Sequence, residues 1–185
     1  MTNLTHKDEN LTRLHHFGCV VRDQAKTRYL MEEVLGFPLV ATWIEKSRLR
    51  ELDEEHVFCH TFYALGDGSA LAFFQFADPS MFEKCQAPIP PIVSRFEHLA
   101  LKVSTAKQDE IKRNLTAASI PFREIDHGYC KSLYINTSDG LELEFAVDPE
   151  DLDQILGLQR AHASSDLDRW IAGDVTPNNT LRHRE

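Results

Sequence analysis

Residues 14–21 read LHHFGCVV, and residues 96–103 read FEHLALKV. Both are short, mostly apolar runs of strand type. Each has a histidine set into it, His16 in the first and His98 in the second. The two runs lead into the same series of elements. After the first, Asp23 is a helix start signal, and residues 24–35 put Tyr29, Leu30, Val34 and Leu35 on one helical face before Gly36 ends it. Three β-type runs come next, at 37–44 (FPLVATWI), 57–65 (VFCHTFYAL) and 70–76 (ALAFFQF), with Gly66-Asp67-Gly68 as a turn before the last. After the second, Ser104 and Thr105 can cap a helix reaching about residue 118. Strands are then expected at 120–125, 132–135 and 141–147, with Ser138-Asp139-Gly140 as a turn. The order is strand, helix, strand, strand, strand, and it occurs twice. ALAFFQFADP at 70–79 also parallels LELEFAVDP at 141–149, which sets Gln75 near Glu144 in the repeat. A long-period repeat constrains the whole fold. The expectation is an α+β protein of two paired βαβββ modules.

The remaining segments fit around these modules. Residues 1–11 are polar and read as a flexible N-terminus. Residues 45–55 are dense in charge and read as a solvated loop or hairpin tip. Residues 79–93 hold Pro79, Pro88, Pro90 and Pro91 and read as a linker, with a short helical piece around 81–85. The modules therefore span 12–78 and 94–149 within one domain, 12–149. Residues 150–185 form a C-terminal helix and tail. The helix runs from 151 to about 163, with 164–170 continuing it and the last dozen residues disordered.

At 185 residues the chain is one domain by length, large enough to bury a sizeable core. Apolar residues make up 42% and charged residues 26%, which excludes general disorder and a disulfide scaffold. No apolar run approaches the ~20 residues needed to span a bilayer. The first ten residues lack the apolar core of a secretion signal. The formal charge of −9 opposes binding to phosphate backbones, so no nucleic acid and no membrane are expected as partners. Cys19, Cys59, Cys85 and Cys130 form no C-x-x-C pair, so free thiols in a reducing cytoplasm are the expectation.

Nine histidines are the unusual feature. In the last strand Leu141, Leu143 and Phe145 alternate with Glu142 and Glu144, so one face should meet helices and the other should carry carboxylates into a polar cavity. Two imidazoles and one carboxylate converging from different strands would make a divalent-metal site with open positions, the pattern associated with non-haem Fe(II). The internal repeat is what makes convergence of His16, His98 and Glu144 an expectation. Spacing by itself would leave them as separate half-buried side chains.

With these residues in view, the chain resembles the vicinal oxygen chelate superfamily, which includes glyoxalase I, fosfomycin and bleomycin resistance proteins, and extradiol dioxygenases. The resemblance covers residues 14–149 and rests on LHHFGCVVRD, EEVLGFPLV, LGDGSALAFFQF, FEHLALKV and YINTSDGLELEF. It implies paired modules forming an open, cupped barrel around one metal. It implies His16, His98 and Glu144 as ligands, with His16 preferred to His15 for its spacing to Asp23. The place where glyoxalase I-like members carry a fourth ligand falls on Gln75.

The likeness is greatest to a single-domain extradiol dioxygenase. This implies Fe(II), a catechol-like aromatic substrate and O2. His60 would serve as acid/base, with Tyr134 and His127 as further catalytic residues. The residue types suit that chemistry, because a catechol must lose protons and an unperturbed imidazole titrates near ~6.5. A tyrosine hydroxyl can donate to a developing oxyanion. A glyoxalase I-like isomerase or lyase on Mn, Ni or Zn is the alternative, as is a binding or resistance protein without turnover. A homodimer is implied by analogy only.

Overall fold

The computed structural model describes residues 13–48, 54–85 and 97–179. The chain divides into two compact units, residues 1–88 and 89–185. Each carries one four-stranded mixed sheet, as the repeat requires.

In the first unit, β1 (His16–Val20) leads into α1 (Gln24–Arg28), and then β2 (Leu39–Arg48), β3 (Glu55–Ala64) and β4 (Ala70–Phe76) come in turn. The sheet order is β1-β4-β3-β2, with β1 parallel to β4 and the other pairs antiparallel. α1 begins where the sequence signals it. The Asp23 carboxylate accepts from the backbone N–H of Ala25 at 2.8 Å and Lys26 at 3.2 Å, satisfying donors that have no intrahelical partner. The helix does not run regularly to residue 35. It widens into a π-helical stretch at Tyr29–Val34, which places Met31, Val34 and Leu35 in the core. Gly36 comes next at φ 72°, in the left-handed region where a Cβ is unwelcome. A short helix, α2 (Ser80–Cys85), stands where a helical piece was expected in the linker.

The charge-dense segment at 45–55 is a correction. Residues 45–48 belong to β2 and pair with β3 as far as Arg48 opposite Glu55, so the ribbon extends past its apolar stretch. Cross-strand pairing, including Lys46 with Glu55, carries the strand past the point where hydrophobic patterning stops. The tip between the strands lies outside the described residues, as do residues 1–12, most of the proline-bearing linker and the end of the tail.

The second unit repeats the plan with β5 (Leu99–Lys102), α3 (Thr105–Ala117), β6 (Phe122–Asp126), β7 (Lys131–Asn136) and β8 (Glu142–Val147), in the order β5-β8-β7-β6. Ser104 caps α3, its hydroxyl oxygen accepting from the Lys107 N–H at 3.2 Å. Ile111 and Leu115 of α3 are fully buried, as are Leu133, Leu143 and Phe145 of the sheet. Each such side chain contributes about 1.5–3 kcal/mol through burial. A glutamine ties helix to sheet in both units. Gln24 donates its amide to the carbonyl of Phe73 at 2.9 Å, and Gln108 donates to that of Phe145 at 2.6 Å. The C-terminal α4 (Leu152–Ile171) is one continuous helix, with Ile155 buried and Leu158, Leu167, Trp170 and Ile171 exposed.

Residues 142–145 of β8 are buried on both faces, with Glu144 against His98 and Glu142 against Arg123. None of the helices among the described residues is long and apolar enough to cross a membrane.

Candidate metal centre

Strand pairing fixes which side chains share a face. On β8, Glu142 and Glu144 lie opposite Leu143 and Phe145, and register sets Glu144 beside Tyr134 of β7 and Ala100 of β5. His98 immediately precedes β5. Its Nε2 stands 2.8 Å from Glu144 Oε2. The other carboxylate oxygen, Oε1, accepts from the Ser132 hydroxyl, and Ser132 Oγ lies 3.4 Å from Cys130 Sγ. Glu144 is 5% exposed, and these contacts give both of its buried oxygens a polar partner. Glu142 on the same face is held by Arg123 at 2.5 Å, and the Arg123 guanidinium also lies 4.1 Å over the Tyr134 ring.

Tyr134 completes the face. Its hydroxyl is 2.8 Å from His127 Nε2, and its ring meets His98 edge-on with centroids 5.8 Å apart. Burial, with the nearby Glu144 charge adding to it, pushes the Tyr134 phenol up to about 12. It is therefore a neutral hydrogen-bond donor across the physiological range. Burial likewise raises the Cys130 thiol and keeps it protonated. The second unit thus brings together four of the expected residues: His98, Glu144, Tyr134 and His127. Sequence reading missed Ser132, the hydroxyl that orients Glu144. The signal was its place two residues before Tyr134, on the same face of an alternating strand.

His16, His60 and Gln75 lie in the first unit. His16 sits on the sheet face that carries Phe62, with the two rings edge-on at 5.6 Å, and its Nδ1 is 2.7 Å from that of His15. His60 is on the same face, stacked on Phe74 with centroids 3.8 Å apart and 4.3 Å from Phe62. Trp43, Phe58 and Phe76 extend this aromatic surface. Gly18 makes it possible, since a Cβ there would lie 3.2 Å from the Phe74 ring. Phe73, with Tyr63 and Leu71, faces the core instead.

Gln75 points the other way from His60's face, and its amide oxygen accepts from the Gln24 N–H at 2.6 Å. Backbone register also assigns the module counterparts. Gly18 pairs with Ala72 as Ala100 pairs with Glu144, and Phe62 pairs with Ala72 as Tyr134 pairs with Glu144. Glu144's counterpart is thus the methyl group of Ala72. Aligning the two Asp-Pro pairs in sequence displaced this equivalence and drew attention to Gln75 instead. Among the described residues, no three His, Cys, Asp or Glu side chains are gathered as a metal cage. The second unit supplies a facing imidazole and carboxylate, a donor pair suited to a borderline or hard divalent cation.

The family model described as "Glyoxalase/Bleomycin resistance protein/Dioxygenase superfamily" matches residues 13–145. The chain is similar to the solved structure of a fosfomycin resistance protein mutant, FosX from Listeria monocytogenes, complexed with Mn(II) and 1S,2S-dihydroxypropylphosphonic acid. The identity is 16% over 78% of this chain and 98% of that one, with a TM-score of 0.52. It is also similar to a glyoxalase/dioxygenase from Nostoc punctiforme, at 19% identity over 81% and 100% of the two chains, with a TM-score of 0.54. A third similar structure is the oxidase ChaP-H2, at 16% identity over 75% and 94%, with a TM-score of 0.50. No curated protein matches the chain.

Proposed function

Because the chain belongs to the glyoxalase/bleomycin resistance protein/dioxygenase superfamily, we propose that it is a metal-dependent enzyme cleaving the ring of a catechol-like substrate with O2. Its metal ligands include His98 and Glu144 of the second unit. The observation that carries this reading is the pair itself. A nearly buried carboxylate faces an imidazole nitrogen at 2.8 Å, and a hydroxyl fixes the carboxylate's other oxygen. Supporting residues of this kind orient ligands in metal sites generally. Gln75 is left out of the set, since its amide oxygen is engaged by α1 and its module supplies an alanine at the ligand-equivalent position.

A divalent ion, Fe(II) on this reading, supplies Lewis acidity to two vicinal oxygens and redox chemistry toward O2. The side chains do the rest. His60 accepts a proton from a substrate hydroxyl at Nε2. Tyr134, kept neutral by burial, donates a hydrogen bond to an oxygen that gains charge, while His127 holds the phenol in orientation. The rings of Phe62 and Phe74 flank His60 and favour a planar aromatic substrate.

The test is anaerobic reconstitution with Fe(II), followed by O2 uptake on a panel of catechols. Uptake with formation of a yellow ring-opened product is expected. His98→Ala and Glu144→Ala should lose both metal retention and turnover, whereas His60→Ala should keep the metal and turn over roughly 100-fold more slowly, the usual scale of a lost general base. A second reading is an enzyme or binder acting on a small phosphonate, which draws on the likeness to Mn(II)-bound FosX, or a glyoxalase I-like enzyme acting on a hemithioacetal. Inert catechols together with Mn(II)-, Ni- or Zn-dependent turnover of those compounds would replace the first reading by the second.

A further inference from the structure

On β2, Glu45 lies on the same sheet face as Trp43, one step along the ribbon from the Trp43–His60 pair. Its Oε1 is 3.0 Å from His60 Nδ1, a diagonal cross-strand contact. A carboxylate can only accept, so the hydrogen of this bond belongs to Nδ1. In the neutral ring, Nε2 then carries no hydrogen and presents a lone pair. That atom is buried and has no hydrogen-bond partner among the described residues. The ring cannot rotate to relieve it, being stacked on Phe74 and flanked by Phe62 and Trp43. A buried, unpartnered nitrogen is unfavourable, and a bound hydroxyl would relieve it.

The same place in the second unit also reaches across to the next strand, there to the counterpart of Phe62 instead of that of His60. His127 takes the position that Glu45 holds, there just past the end of β6, and steadies Tyr134 at 2.8 Å. In each unit a residue on the outer ribbon steadies a proton-bearing side chain on the strand beside it.

We propose that Glu45 is a positioning residue that fixes His60 as its Nδ1–H tautomer, so that Nε2 is the atom that receives the substrate's hydroxyl proton. This builds on His60 as the acid/base of the proposed reaction. The balance is simple. The substrate O–H breaks, its proton forms N–H at Nε2, and the resulting imidazolium keeps its Nδ1–H on the Glu45 carboxylate. The electron pair stays on the substrate oxygen. Glu45 stabilises that imidazolium and needs no contact with substrate.

The experiment reads the tautomer directly, by long-range 1H–15N correlation spectra of the full chain, with His60→Gln identifying the signal. In the wild type, His60 should show a protonated Nδ1 and an unprotonated Nε2. Glu45→Ala, a change at a half-exposed surface carboxylate, should move it to the Nε2–H form. On the Fe(II)-loaded enzyme the same variant should lower kcat by about 10–100-fold with little change in KM, and Glu45→Gln, which keeps an acceptor oxygen, should recover part of it. An Nε2–H tautomer in the wild type, or a Glu45→Ala variant with unaltered tautomer and kcat, would overturn the proposal. A tautomer that shifts in Glu45→Ala while the wild type turns over no catechol would uphold the dyad and sink the ring-cleavage reading instead.

Discussion

Glu144 and Tyr134 are neighbours across two strands, and burial treats them oppositely. The carboxylate is held by contacts to His98 and Ser132, whereas the phenol is kept neutral, with its ionisation pushed up to about 12. This makes stability depend on pH in a defined direction. Below about pH 10, folded and unfolded chains both hold the Tyr134 proton, and the contribution is fully present. Between about 10 and 12 the unfolded chain releases it first and so binds fewer protons, and stability falls as pH rises. At roughly 1.4 kcal/mol for each pH unit between the two ionisations, the loss approaches about 3 kcal/mol. Phenolate absorbance should show one tyrosine titrating well above the ordinary range, and Tyr134→Phe should remove both that signal and part of the alkaline destabilisation. An ordinary phenol titration for every tyrosine would contradict the burial argument. At this scale His98 and Glu144 stood out in the sequence because polar residues in apolar alternating strands need partners, and Tyr134 and His127 came from the family resemblance. The sequence did not disclose Ser132 or Glu45, whose types are ordinary on strands and whose roles depend on what the neighbouring strand brings alongside.

Elements were legible where local chemistry specifies their ends. Asp23, Ser104, Gly36 and the turns at Gly68 and Gly140 act within a few residues of themselves, and the structure uses each of them. The far end of β2 was not legible, since Glu45 to Arg48 are strand only because β3 pairs with them. The π-helical widening of α1 was equally silent in the apolar spacing. It leaves Met31, Val34 and Leu35 buried. Gln75 joins these points. Its amide oxygen accepts the first backbone donor of α1, so Gln75→Ala should cost about 1 kcal/mol through an unsatisfied N–H, measured by denaturant unfolding. The same variant should bind metal as the wild type does. Loss of metal with unchanged stability would return Gln75 to the ligand set.

At the scale of the whole chain, the two units share one topology and have diverged in chemistry. Corresponding positions carry Ala72, Phe62 and His60 on one sheet and Glu144, Tyr134 and Ser132 on the other. The first is an aromatic surface and the second a network of charge and hydroxyl groups. An ion bound only by the folded chain would stabilise it by about 2.7 kcal/mol at a hundredfold excess over Kd. For a chain of this size that is about 5–10 °C in thermal midpoint. Adding Fe(II) anaerobically, or Mn(II) in air, should raise the midpoint by that order, EDTA should reverse it, and His98→Ala should abolish the response. A midpoint indifferent to every divalent ion would remove the metal from the account.

The sequence by itself determined the α+β class, the doubled βαβββ order and the family, because strand and helix periodicity, caps and turns act locally and the repeat multiplies their signal. Tertiary structure alone decided that Ser132 meets Glu144, that Gln75 serves a helix, and that Glu45 reaches His60. Those facts depend on strand register. A shift of two residues keeps every side chain on its own face, and so leaves the hydrophobic pattern unchanged while exchanging the partner across the ladder.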